Sequence, residues 1–393
     1  MAKCSVGLVS AGLAMIAVTY GLARFAYGLF LPELRKAFDL DASILGAIGA
    51  GSYAGYCGAI VISLVYTSRV GPRSMIIAAG LTAVVGMTVI STAPNALFLA
   101  FGVIVAGSST GLASPPMAEA VSKIVDHPGQ DRANALINSG TSVGVALSGP
   151  VALLATGQWR LAWAAFAAVG IMVLVWNIFV MPSHNKKDTV EDSGYYEYEP
   201  QTKDIPDLTL TWLVGNRSLR LFAASVGVGI ASAVYWTFSR ELVIQAGGLG
   251  QLGSTLFWVV IGVSGLAGGG AGDLVRRFGL GMAMRGSLLA MAVSIGMLAI
   301  APGILYAAYA SAALFGATYI MLTGILLVWS VRVFRERPSA GLGSAFFLLA
   351  AGQILGSYLA GLLAGITDLS TTFLIFAGTA ILTTVFGPDD KDS

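Results

Sequence analysis

Residues 6–34 read VGLVSAGLAMIAVTYGLARFAYGLFLPEL. The run exceeds the roughly 20 mostly apolar residues that a helix needs to cross a bilayer. One cation, Arg24, sits deep within it, and Glu33 lies near its end. A charge at bilayer depth costs about 2.5–3.5 kcal/mol on insertion scales. Three readings of Arg24 follow from that cost. It packs against aromatic rings or carbonyls, it snorkels to the surface, or it binds an anionic group through charge-assisted hydrogen bonds. The run follows Lys3 as a signal peptide would, but it is too long and many further apolar runs follow it.

Composition agrees with lipid as the solvent. Of 393 residues, 56% are hydrophobic and only 11% charged, against about 25% charged in an average soluble domain. Mean hydropathy is +0.80. The 50 glycines suit the close helix contacts that small residues allow in membranes. Cys4 and Cys57 read as unpaired thiols. A net charge of +2 is too small to imply a nucleic-acid partner.

Twelve runs qualify as spans: residues 6–34, 42–66, 74–93, 97–125, 132–155, 160–181, 219–243, 252–273, 283–301, 305–331, 341–365 and 371–387. Barrel strands would alternate over about ten residues, and these runs do not. Lys and Arg set the orientation. With both termini in the cytoplasm, seventeen fall on the inner side and four (Arg35, Lys36, Arg160, Arg240) on the outer side. The longest polar stretch, in the middle of the chain, holds His184, Lys186, Lys187 and an acidic, tyrosine-rich piece, and reads as a solvated linker. It divides the chain into residues 1–181, a cytoplasmic linker 182–218, and residues 219–393. The halves echo one another. Gly71 and Gly279 stand 208 apart, and Ala133/Ala340 and Gly149/Gly356 stand 207 apart. Repeats of this kind place a substrate site near the midplane, between halves that rock.

This whole-chain pattern resembles the major facilitator superfamily of secondary transporters. Its inner-loop motif, roughly G-x-L-x-D-R-x-G-R-R, is matched in part by Arg69, Gly71 and Arg73, with Ser68 in place of Asp and Leu64 in place of Gly. The second copy keeps Gly272, Leu274, Arg277 and Gly279, with Arg276 in place of Asp; Asp273 is positioned for a local pair with Arg276 or Arg277. The fifth run carries Gly140, Gly144, Gly149 and Pro150, which resembles an exporter motif without its trailing glycines and reads foremost as helix packing. The stretch Tyr20 to Gly28 looks like a poorly characterised bacterial branch of the superfamily. The resemblance implies an all-α polytopic membrane protein, twelve transmembrane helices in two pseudo-symmetric six-helix bundles. It implies a multi-pass monomer of the bacterial inner membrane, surrounded by lipid and working by alternating access.

Motifs of other chemistries are missing or misplaced. No G-x-x-x-x-G-K-[ST] occurs. Gly248-x-Gly250-x-x-Gly253 sits in a loop with no strand before it. His127 and His184 fall in loops with no Cys/His cluster, and no catalytic triad lies at membrane depth. The chain therefore reads as no enzyme, with no cofactor and no metal.

Arg24 has Tyr20, Gly21, Tyr27 and Gly28 as helical neighbours, so this small, polar stripe is expected to face protein or a cavity while Leu22, Phe25 and Leu29 point elsewhere. It lies ~6 Å outward of its run's centre. By the superfamily's usual geometry the cavity gains Tyr53, Tyr56, Asn138, Tyr235, Trp236, Tyr319 and Gln353. Ser114-Pro115-Pro116 is expected to kink or break the fourth run. Embedded acids are few: Glu33, Glu119, which can pair with Lys123, and Glu241 beside Arg240. The coupling and gating candidates are Glu33, Glu119, Arg69, Arg73, Asp273 and Arg277. One deep cation with no deep acid points to a small organic anion as substrate, with protons or a counter-solute as the coupling partner. An efflux carrier for amphipathic compounds and a non-transporting membrane partner subunit are the alternatives.

Overall fold

The computed structural model describes residues 2–155, 157–181, 216–334 and 338–388. Most of the central linker, with its lysines and tyrosines, lies outside the described residues, as do Arg335, Arg337 and Lys391. Among the described residues every regular element is helical. Lipid offers a backbone no hydrogen-bond partner, so each crossing segment must satisfy its own peptide groups.

Among the described residues twelve helices are long and apolar enough to cross a membrane: α1 Val6–Phe38, α2 Ala42–Thr67, α3 Pro72–Thr92, α4 Ala96–Ile124, α5 Arg132–Leu154, α6 Trp159–Val180, α7 Ser218–Gln245, α8 Gln251–Phe278, α9 Leu280–Ile300, α10 Leu305–Val333, α11 Gly341–Ile366 and α12 Leu369–Phe386. Short polar side chains start several of them. Asp41 accepts from the Ile44 amide at 2.8 Å, Asn95 from Leu97 and Phe98 at 3.1 Å, and Asp368 from Thr371 at 2.9 Å. Two helices change winding within their length, and α12 closes in a 3-10 turn over Thr384–Phe386. Within α1, Ala17–Phe25 is a π-helix, and within α8, Leu266–Gly270 is a 3-10 turn. The break expected at Pro115-Pro116 is absent: α4 runs helical from Ala96 through Ile124. Buried prolines are tolerated where neighbouring helices hold the chain.

The first and last six helices make matching contacts at positions 208 residues apart. A Cβ on Gly21 of α1 would overlap the Gly144 backbone of α5; a Cβ on Gly229 of α7 would overlap the Leu349 carbonyl and press on Gly352 of α11. Gly71 and Gly279 close equivalent loops at φ 81° and 79°. The 207-residue pairing of Gly149 with Gly356 is not preserved in contacts. Gly149 faces Val259 of α8, whereas Gly356 faces Ile230 of α7. Gly140 and Gly144 both abut α1 carbonyls, the helix-packing role read from the sequence.

Among the described residues the main contacts between the two sets of six are α1 with α7, α2 with α11, and α5 with α8. Gly28 and Trp236, themselves 208 apart, meet where α1 crosses α7; any Cβ on Gly28 would overlap the Trp236 carbonyl oxygen. Two positions related by the repeat and also in contact mark the pseudo-twofold axis. This crossing lies toward the charge-poor end of the bundle, the end that carries Arg35, Lys36, Arg160 and Arg240.

Candidate functional site

The π-winding of α1 builds the site. The Ala26 amide donates to the Gly21 carbonyl, five residues back, and the Thr19 hydroxyl donates to the Met15 carbonyl at 2.9 Å. A π-turn is wider than an α-turn and is frequent at functional sites. Tyr20, Arg24 and Phe25 then share the inner face. Phe25 was expected to point elsewhere; it is buried beside Arg24, because the wider turn breaks the α-helical register used to place it.

Arg24 is only 5% exposed. Its guanidinium carbon lies 4.3 Å from the Tyr56 ring centroid, 4.8 Å from Tyr53, 5.1 Å from Phe25 and 5.7 Å from Tyr20. Its Nη2 donates to Gln353 Oε1 of α11 at 2.8 Å, and Gln353 Nε2 donates to the Tyr319 hydroxyl of α10 at 3.2 Å. The Tyr20 hydroxyl meets Ser114 Oγ of α4 at 2.8 Å. Among the described residues no carboxylate pairs with Arg24. Arg24 is thus a buried cation held by rings and one neutral amide.

Beside it lies a cavity lined by Arg24, Phe25, Tyr27, Gly28, Gly49, Ser52, Tyr53, Trp236 and Thr237. Its volume of about 10 Å³ is room for one water, so the site is nearly closed. Three buried polar atoms on its lining have no hydrogen-bond partner: Arg24 Nε, Ser52 Oγ and Trp236 Nε1. Trp236 stacks on Phe25 at 4.0 Å and 23°, and Tyr319 meets Trp236 edge-on at 5.2 Å.

Of the residues singled out from sequence, Tyr20, Tyr53, Tyr56, Trp236, Tyr319 and Gln353 gather around Arg24. Tyr27 lines the cavity while its hydroxyl donates to the Leu45 carbonyl at 2.8 Å. Two do not join. Tyr235 stacks on Phe315 at 3.8 Å and its hydroxyl meets Ser311 at 2.8 Å, inside the packing of α7, α10 and α12. Asn138 is exposed and does not line the cavity.

The gating candidates separate by end. At the charge-rich end each is held within its own set of six. Glu119 pairs with Lys123 at 2.7 Å, Asp273 pairs with Arg276, and Arg277 lies over the Phe278 ring at 5.4 Å. Arg69 covers Tyr66 at 5.8 Å, and Arg73 donates to the Ile178 carbonyl at 2.8 Å. At the charge-poor end the pairs cross between the two sets of six. Glu33 of α1 meets Arg240 of α7 at 2.7 Å, and Arg35 of α1 meets Glu241 of α7 at 2.9 Å. Arg240 also donates to the Leu29 carbonyl. Glu33 and Glu241 stand 208 apart and so occupy equivalent positions, although their partners do not: Arg240 corresponds to Pro32, and Arg35 to Val243. Sequence reasoning named Glu33 but missed Arg35, Arg240, Phe25 and Ser52. The 208-residue spacing of the two glutamates was the available signal.

Comparison with known proteins agrees with this architecture. The sequence profile of the Major Facilitator Superfamily matches residues 13–351. The chain belongs to that superfamily. It is therefore a multi-pass membrane protein of a transporter family. A crystal structure of a variant of the nucleoside transporter NupG is similar in fold, with a TM-score of 0.76, 14% identity, and coverage of 97% of this chain and 98% of that one. A bacterial homologue of the human lysosomal transporter Spinster, captured inward-facing and unoccupied, gives a TM-score of 0.71 at 12% identity, covering 98% of this chain and 94% of that one. At such identities the likeness concerns the fold alone. No curated protein matches the chain by sequence.

Proposed function

We propose that this superfamily member is a secondary transporter that moves a small organic anion across the bacterial inner membrane by alternating access. Arg24 holds the anionic group. One observation carries the reading: a buried guanidinium with no carboxylate partner among the described residues, whose Nε is left unbonded in a cavity between the halves. Cation–π contacts are worth ~0.5–2 kcal/mol each and hold the charge in place. They leave the in-plane Nε of the fork, which has no partner, free for a carboxylate.

In this proposal residues 1–181 and 219–393 are the two rocking bundles, and residues 182–218 tether them on the cytoplasmic side, where both termini also lie. The charge-poor end then faces outward, and the Glu33–Arg240 and Arg35–Glu241 pairs form its closed gate. Glu33, released when that gate opens, is the coupling candidate, to protons or to a counter-solute.

Uptake of a panel of radiolabelled organic acids into proteoliposomes tests the reading. Arg24→Gln is expected to lose at least ~10-fold in uptake, and Arg24→Lys to fall between, since an ammonium keeps the charge but not the fork. Undiminished anion uptake by a well-folded Arg24→Gln protein overturns it.

A further inference from the structure

The rings around Arg24 say what the rest of the anion looks like; this inference rests on the anion reading above. Phe25 stands on α1 and Trp236 on α7, so their stacked pair joins the two sets of six beside the cavity. Alternating access parts α1 from α7. Once they part, Phe25 and Trp236 each present a bare ring face, with Tyr319 edge-on to both at 6.3 Å and 5.2 Å. A flat ring entering the gap restores an offset stack on both sides.

The polar atoms on the same lining specify the ring's substituent. Arg24 Nε and Trp236 Nε1 only donate, and the Ser52 hydroxyl donates or accepts. All three are buried without partners. A carboxylate brings two oxygens and about four acceptor sites, enough for Arg24 Nε and the Ser52 hydroxyl. An aliphatic acid would satisfy these donors and leave the ring faces bare. A neutral arene would cover the rings and leave the donors unpaired.

We propose that the transported solute is a small planar aromatic carboxylate. Its ring intercalates between Phe25 and Trp236, and its carboxylate is received by Arg24 and Ser52.

The test titrates the purified full-length protein with three probes of similar size, read by tryptophan fluorescence and thermal shift. Benzoate is planar and charged, cyclohexanecarboxylate is charged and puckered, and benzamide is planar and neutral. Benzoate is expected to bind about tenfold or more tighter than cyclohexanecarboxylate, and benzamide to give no shift. Equal affinity for the two acids overturns the ring and leaves the anion reading standing. Benzamide binding as well as benzoate, or no response to either acid, overturns both. Two variants test the stack. Trp236→Phe keeps a ring face, so the preference for benzoate over cyclohexanecarboxylate persists. Trp236→Leu removes the face and levels the two acids. A preference for benzoate unchanged in a folded Trp236→Leu protein also overturns the proposal.

Discussion

At the scale of single residues, Arg24 is held by geometry that crosses between the two sets of six, because its amide partner Gln353 sits on α11. A hydrogen bond to a charged group contributes about 1.5–3 kcal/mol, and its loss leaves a buried donor unpaired. Gln353→Ala is therefore expected to lower the stability of the ligand-free protein by about 1–3 kcal/mol. A bound anion should recover part of that loss, and thermal unfolding with and without ligand measures both. The sequence revealed Arg24 and most of its ring neighbours, since an isolated charge in an apolar run stands out and Tyr53, Tyr56 and Trp236 lie on runs the superfamily geometry brings together. It misplaced Phe25, Tyr235 and Asn138. These errors came from treating each helix face as uniform, while side-chain direction depends on the local winding and on the neighbouring helices.

At the scale of the element, α1 and α5 touch backbone to backbone, as do α7 and α11. Gly21→Leu must push α1 away from Gly144, and overpacking of this kind costs about 1–3 kcal/mol or more. Gly229→Leu should fail in the same way at the repeated position. Gly286, exposed on α9 with open space around its Cα, is the contrast. There an added methyl meets nothing, and Gly286→Ala should leave the melting temperature unchanged or slightly raised. The cap of α12 carries a pH dependence. The Thr371 hydroxyl and amide hold the Asp368 carboxyl below its usual range. Its contribution is complete above the ordinary Asp range and fades as pH falls through the lowered value. Acid titration of melting temperature should therefore lose a component that Asp368→Asn does not show. Run lengths and capping residues were legible because they depend on local composition. The π-segment was not, because residues 17–25 carry no proline or other local marker; its width is set by how α1 fits against α5.

At the scale of the molecule, the described ion pairs that cross between the two sets of six lie away from the end the loop motif marks. The superfamily's loop motif directed attention to the charge-rich end, where Ser68 and Arg276 replace its acids and every described pair is local. The ion pairs that cross lie at the other end, on α1 and α7. Removing one partner of a buried pair costs ~3–5 kcal/mol, so Glu33→Gln alone should destabilise the closed state sharply. A double-mutant cycle with Arg240→Gln should show coupling of about 1 kcal/mol or more in unfolding free energy; additive effects would mean that the pair does not hold the gate. Partners 207 residues apart are invisible to periodicity. The twelve crossings, by contrast, follow from hydropathy alone, and their ends fell within a few residues of the helices. On the proposed reading, the unpaired Arg24 makes the cycle sensitive to voltage. A bound carboxylate neutralises it, so the loaded carrier reorients without net charge at the site. The empty carrier reorients with one positive charge there. Membrane voltage acts on a charge by ~2.3 kcal/mol per 100 mV when it crosses the whole field. On the proposed reading, voltage therefore leaves the loaded step alone and biases the return step. A negative interior holds the vacant site facing the cytoplasm.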